Sequence, residues 1–218
     1  MKIIAIASTI AVAAISTAHA EERGSWYIQA GPAGISFNES TSLSVAGTGV
    51  PGAGSKVSSE GTLAVGLGYF ITPNISVIGL GGIPPTSAIT GSGSVTGLNP
   101  GKIQYAPFIL AANYHFNQTG KFQPFVGVGA TYTMILDEKS GDIENLKAKN
   151  AFGPVLRIGF DYMIDDHQGV FFSAQKLFVD STVTGTVAPY VPGLGGAPVS
   201  AKIDLDPVII HAGYTYRF

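Results

Sequence analysis

The sequence predicts an all-β protein, an eight-stranded antiparallel transmembrane β-barrel with short periplasmic turns and long extracellular loops. Three observations predict it: an export leader, a membrane-like composition without a membrane helix, and apolar residues at every second position in segments joined by alternately short and long connections.

The leader comes first. MKIIAIASTIAVAAISTAHA carries Lys2, an apolar run from Ile3 to Ile15, and Ala18-His19-Ala20, the small-x-small pattern that a signal peptidase cuts after. The run is shorter than the roughly 20 residues a spanning helix needs. Residues 1–20 are therefore expected to be a cleaved signal peptide, and 21–218 a single outer-membrane domain.

Composition follows. Only 12% of residues are charged and 45% are hydrophobic, yet no run long enough for a helical span follows Ile15. With 29 glycines and 13 prolines the chain stays below the level of low complexity and should fold. A net charge of −2 predicts no nucleic-acid partner, and four histidines without cysteine exclude disulfides and thiolate metal sites. No cofactor or metal is expected.

Strands are expected near 25–37, 59–70, 75–83, 102–116, 122–136, 151–164, 169–180 and 202–218. TLAVGLGYF alternates Leu63, Val65, Leu67 and Tyr69 against Thr62, Ala64, Gly66 and Gly68. PFVGVGATYTM sets Val126, Val128, Ala130, Tyr132 and Met134 against Phe125, Gly127, Gly129, Thr131 and Thr133. PVLRIGFDYMI places Leu156, Ile158, Phe160, Tyr162 and Ile164 opposite Arg157, Gly159 and Asp161. In the last strand Val208, Ile210, Ala212, Tyr214, Tyr216 and Phe218 share one face. This is period two, with lipid expected on the apolar face and a crowded interior on the other. A soluble lipocalin-like barrel would instead turn the apolar face inward around a ligand. Its outer surface would then be the glycine-rich face, which packs badly there.

Strand ends and connections set the orientation. GLGYF, ANYHF, GFDYMI and GYTYRF bring Tyr69, Tyr114, Phe116, Tyr162, Tyr214, Tyr216 and Phe218 to one level, and the turns ITPN, NQTGK and DDHQG follow the first three. Tyrosine prefers the polar boundary of a bilayer, so this ring marks a membrane interface. The other connections, near 38–58, 83–101, 137–150 and 181–201, are long and polar or glycine-rich. Outer-membrane barrels place such loops outside the cell.

QYAPFILAANYHF (104–116), PFVGVGATYT (124–133) and LDPVIIHAGYTYRF (205–218) resemble, in order and spacing, segments of the outer-membrane protein W family. The stretch VTGTVAP…PVSAKIDLDP (183–207) is similar to its alkane-uptake branch. The resemblance covers the whole mature chain. It implies passive uptake of small hydrophobic molecules by lateral diffusion, and the aromatic C-terminus resembles the tag read by the barrel assembly machinery. Family membership does not fix a ligand.

Residues carry the rest. Proline donates nothing to a ladder, and a closed barrel has no edge strand to hide it. Pro84 and Pro85 lie about ten residues above Asn74 and Pro107 about nine above Phe116, at heights of roughly 25 and 23 Å. A weak seam is expected there, although Pro32, Pro154 and Pro207 also interrupt strands and the Pro84–Pro85 pair could simply end one. On inward faces Asn113, His115, Gln123, Arg157, Asp161 and Arg217 fall low, a polar floor. Ile109, Ala111, Val155 and Ile209 fall higher, an apolar lining. A solute meeting such a floor would be steered through the wall. Those inward charges equally suit a purely stabilising role.

Enzyme activity is not expected. A lipid-modifying barrel needs serine and histidine with an orienting group at the lipid-facing rim. His115 and His211 fall inward, His167 lies in a turn, and His19 leaves with the leader. DEKSGDIENLKAKN (137–150) alternates in sign like a solvated loop with room for a helical turn, and GTGVPGAG (47–54) lacks the lysine and helix of a phosphate cradle. The expected partners are outer-membrane lipid, lipopolysaccharide, the assembly machinery and small hydrophobic solutes. The alternative is a structural or adhesive barrel, a surface receptor for bacteriocin, phage or host. A lumen filled with paired charges from top to bottom would favour it.

Overall fold

The computed structural model describes residues 25–117, 119–191 and 193–218, so the expected leader lies outside the described residues. Fifteen strands follow along the chain among these residues: β1 (Trp26–Ser36), β2 (Ser40–Val45), β3 (Thr48–Gly49), β4 (Ala53–Val57) and β5 (Glu60–Thr72). Next come β6 (Ile75–Gly82), β7 (Thr86–Gly93), β8 (Gly101–His115), β9 (Phe122–Ser140) and β10 (Ile143–Ala148). The last five are β11 (Ala151–Met163), β12 (Gln168–Leu177), β13 (Asp180–Val187), β14 (Pro198–Asp204) and β15 (Val208–Arg217).

Eight of these close on themselves in the order β1-β5-β6-β8-β9-β11-β12-β15, every pair antiparallel. Closure satisfies the backbone without an edge facing lipid. The C-terminus is sealed into it: the Phe218 N–H donates to Trp26 O at 2.9 Å and the Arg217 N–H to His167 O at 2.8 Å. The alternation phase agrees with the sequence reading. Leu63, Leu67, Val128, Leu156 and Ile158 each leave more than half their surface uncovered on the outer wall.

Glycine on the inner face has a steric cause. Tyr27, Asn113 and Phe125 sit directly across from Gly68, Gly127 and Gly159 on the neighbouring strands. A Cβ on Gly68 would lie 2.1 Å from the Tyr27 ring, one on Gly127 2.3 Å from Asn113 Oδ1, and one on Gly159 2.6 Å from the Phe125 ring. An eight-stranded lumen has room only for side chains, and each large one takes the space its partner leaves.

The three short turns lie at the aromatic end. At the third, Asp165 Oδ1 accepts from the backbone N–H groups of His167 at 2.9 Å and Gln168 at 2.8 Å. Those two bonds hold the Asp165 carboxyl below the usual carboxylate range. At the opposite end the connections are long, as expected, but they are not irregular. They carry a five-stranded sheet, β10-β13-β14-β2-β3, while β4 and β7 extend the barrel wall. Residues 137–150 hold the top of β9 and all of β10, not a helical turn, and the last barrel strand starts at Val208 because the chain breaks from β14 over residues 205–207, where Asp206 takes a positive φ of 37°. Unheated samples in detergent are expected to migrate differently on a gel from boiled ones; identical migration would argue against a closed barrel.

Candidate functional site

The lumen divides into a polar lower part and an apolar upper part. In the lower part Gln29 bridges two charges: its Nε2 donates to Asp161 Oδ1 at 2.8 Å, and its Oε1 accepts from Arg157 Nη2 at 2.8 Å. Only one amide orientation serves both partners. Arg217 Nη2 stands 3.6 Å from Asp161 Oδ2 and also donates to Gln123 Oε1. Both guanidiniums stack on rings, Arg157 4.7 Å from the Phe125 centroid and Arg217 5.0 Å from that of Phe70. A second branch joins Tyr27 OH to Ser76 Oγ at 3.0 Å and Ser76 Oγ to His115 Nε2 at 2.9 Å, with Asn113 Nδ2 3.4 Å from Ser76 Oγ.

The sequence-predicted floor residues Asn113, His115, Gln123, Arg157, Asp161 and Arg217 all lie in this cross-linked layer. Gln29, Tyr27 and Ser76 were missed. The signal available was their parity: each falls on the inward phase of its strand beside a glycine-rich neighbour.

Above the floor, three apolar cavities run in series. The uppermost, about 70 Å³, lies inside the extracellular sheet; the middle one, also about 70 Å³, shares Ile89, Val183 and Ile203 with it. The third, about 40 Å³, shares Ile35, Pro107 and Ile209 with the middle one, so these three form a neck. The side-chain polar groups lining the middle cavity are those of Ser87, Tyr105, Thr133, Lys149 and Ser181. At the bottom, Gln175 and His211 face the third cavity.

That third cavity abuts a break in the wall. β6 and β8 pair as far as Leu80↔Ile109, and pairing resumes only at Thr86↔Gln104 on β7. Between these points the Tyr105 N–H donates to Pro85 O at 3.2 Å, while the Ile83 N–H, on the β5 side by strand alternation, donates to Leu63 O at 2.9 Å. Backbone N–H groups two residues apart point to the same side of a strand, so the Pro107 nitrogen faces the break as Tyr105 does and supplies no donor. Ile83 lines the cavity yet is 61% exposed, so the barrier is about one side chain thick.

The structure therefore brings Pro85, Pro107, Ile109 and Ile209 together around the lower cavity. Pro84 lies beyond the end of β6 and offers its carbonyl to Gln104 Nε2 at 3.4 Å. Ala111 and Val155 are fully packed in the core and do not line the cavities. Pro32 and Pro154 lie within paired strands away from the break.

The aromatic ring is assembled from contacts within and between strand feet. Trp26 packs on Tyr69 with centroids 5.0 Å apart, Tyr114 on Phe116 at 5.3 Å and Tyr216 on Phe218 at 5.1 Å. Tyr162 stands on the outer surface nearby, and Tyr214 OH donates to Gln168 Oε1 at 2.8 Å. Trp26 was not foreseen as a member.

Comparisons agree with this architecture. The sequence profile of the OmpW family matches residues 22–218. The dibenzothiophene metabolism operon protein PahQ of Pseudomonas aeruginosa is 31% identical over 190 residues, covering 86% of each chain. Outer membrane protein AlkL of Ectopseudomonas oleovorans is 28% identical over 177 residues, 81% of this chain and 74% of AlkL. The solid-state NMR structure of AlkL in lipid bilayers superposes with a TM-score of 0.71 at 26% identity, covering 93% of this chain and 94% of that one. The crystal structure of OprG from Pseudomonas aeruginosa superposes with a TM-score of 0.83 at 22% identity, covering 90% and 97%.

Proposed function

Because the chain belongs to the OmpW family and is an outer-membrane β-barrel, we propose that it is a conduit for the passive uptake of small hydrophobic molecules, with exit sideways through the β6–β8 break into the membrane. The observation that carries this reading is the series of apolar cavities that ends at an unpaired stretch of wall directly above a charged floor. Straight passage would take an apolar solute through the Arg157–Gln29–Asp161–Arg217 layer. Leaving through the wall instead transfers its surface to hydrocarbon, which is favourable by about 25 cal/mol per Å². No energy source is needed.

The name of PahQ ties that relative to dibenzothiophene metabolism; the lining of these cavities matches an apolar ring system in character, and cavities of about 70 and 40 Å³ must widen to pass one, since a cavity of about 150 Å³ holds a single benzene. In this reading outer-membrane lipid and lipopolysaccharide surround the wall, and the terminal Tyr214, Tyr216 and Phe218 address the chain to the assembly machinery. The receptor alternative has less support, because paired charges fill the lower lumen and not the upper.

The test compares uptake of an alkane or apolar ester in cells carrying the wild type, no barrel, or Pro107→Val. Valine restores an N–H facing the break, and one added rung of about 1 kcal/mol is expected to slow uptake about fivefold. Equal uptake in all three strains would remove the conduit reading.

A further inference from the structure

The lower cavity is lined by two buried polar side chains with unpartnered atoms, Gln175 and His211, that the apolar conduit does not explain. Gln175, on β12, is 2% exposed, lines the cavity beside the break, and leaves Oε1 without a hydrogen-bond partner among the described residues. Buried amide oxygens are normally satisfied, because an unmatched one forfeits its hydration. The neighbours do not account for it. Arg157 is directly opposite on β11 and gives its Nη2 to Gln29, while its Nε and Nη1 make no hydrogen bond among the described residues and do not reach the amide. His211 packs edge-on against Phe171, with centroids 4.6 Å apart, and neither of its ring nitrogens makes a hydrogen bond among the described residues. Ile109, Ile209 and Pro107 supply only carbon on the remaining sides.

We infer that Gln175 is a specificity-determining residue, and that the conduit selects apolar molecules bearing one terminal hydroxyl over pure hydrocarbons of equal size. This rests on the conduit reading and names its solute class. The apolar body occupies the neck formed by Ile35, Pro107 and Ile209, and the hydroxyl reaches Gln175. A hydroxyl both donates and accepts, so it satisfies either orientation of the amide. A hydrocarbon in the same place leaves the amide dry and unmatched, and sites of this type discriminate against the analogue that lacks the polar group.

The experiment measures uptake of 1-octanol and octane by cells carrying the wild type or Gln175→Leu, each rate corrected for cells without the barrel. The wild type is expected to favour octanol, and the substitution to lower the octanol-to-octane ratio about two- to tenfold, the range one net hydrogen bond confers. An unchanged ratio overturns the inference while leaving the conduit intact. Uptake of both solutes no faster than in barrel-free cells overturns the conduit itself, and the inference with it. A second measurement does not depend on the variant folding in cells. In ¹⁵N-labelled wild-type barrel in lipid nanodiscs, the Gln175 side-chain amide resonance is expected to shift saturably with 1-octanol and not with octane. A resonance indifferent to 1-octanol, as for an amide already paired with Arg157, overturns the inference.

Discussion

Replacing Asp161 with leucine is expected to destabilise the barrel by about 3–5 kcal/mol, the loss that follows when one partner of a buried ion pair is removed. Asp161 is 1% exposed and stands between two cations: Arg217 at 3.6 Å, and Arg157 through the Gln29 amide, which bonds to each side at 2.8 Å. Leucine leaves both guanidiniums in the lumen, and their ring contacts with Phe125 and Phe70 do not replace a carboxylate. The midpoint of urea unfolding, followed by gel mobility in detergent or lipid, reads the loss. The same substitution combined with Arg217→Met is expected to recover part of it, because the second charge goes with the first. A loss under about 1 kcal/mol, the range of solvated surface pairs, would show that water already screens these charges.

The same layer shows what could be read from the chain and what could not. Strand phase was legible, because lipid on one side and a crowded lumen on the other impose strict alternation, so Arg157 and Asp161 were placed inward from parity alone. Partnership was not. Gln29 and Asp161 are 132 positions apart and meet only after β1 joins β15, so no local pattern links them. The extracellular sheet was missed for a related reason. β2 is the run STSLSV, serine-rich and short, and its ladder is with β14, Leu43 opposite Ala201. Such a segment reads as loop until a distant strand lends it a partner and a buried face, which here includes Val183 and Ile203. At the break, the prolines showed which donors were missing. Which carbonyls those donors would have met was not legible, because β8 meets β6 and β7 only once the barrel is assembled.

The neck between the middle and lower cavities is where one side chain should have the largest effect on transport. Ile35, Pro107 and Ile209 are common to both cavities, and Ile209 sits inward on β15, paired with Ile35 on one side and Gln175 on the other. Ile209→Trp places an indole in this passage without altering a backbone donor, a charge or the β6–β8 break. Overpacking of this kind costs about 1–3 kcal/mol, and flanking cavities of about 70 and 40 Å³ give the ring somewhere to go, so the barrel is expected to remain folded and heat-modifiable. Uptake of an apolar solute is expected to fall at least about tenfold, toward the rate of cells without the barrel, since more than about 1.4 kcal/mol of added barrier suffices. This outcome separates two routes. If the solute descends the lumen to the break, blocking the neck stops it. Normal uptake through a folded Ile209→Trp barrel would mean that apolar molecules reach the membrane along the outer wall, and that the cavities are packing defects of the core and not a path.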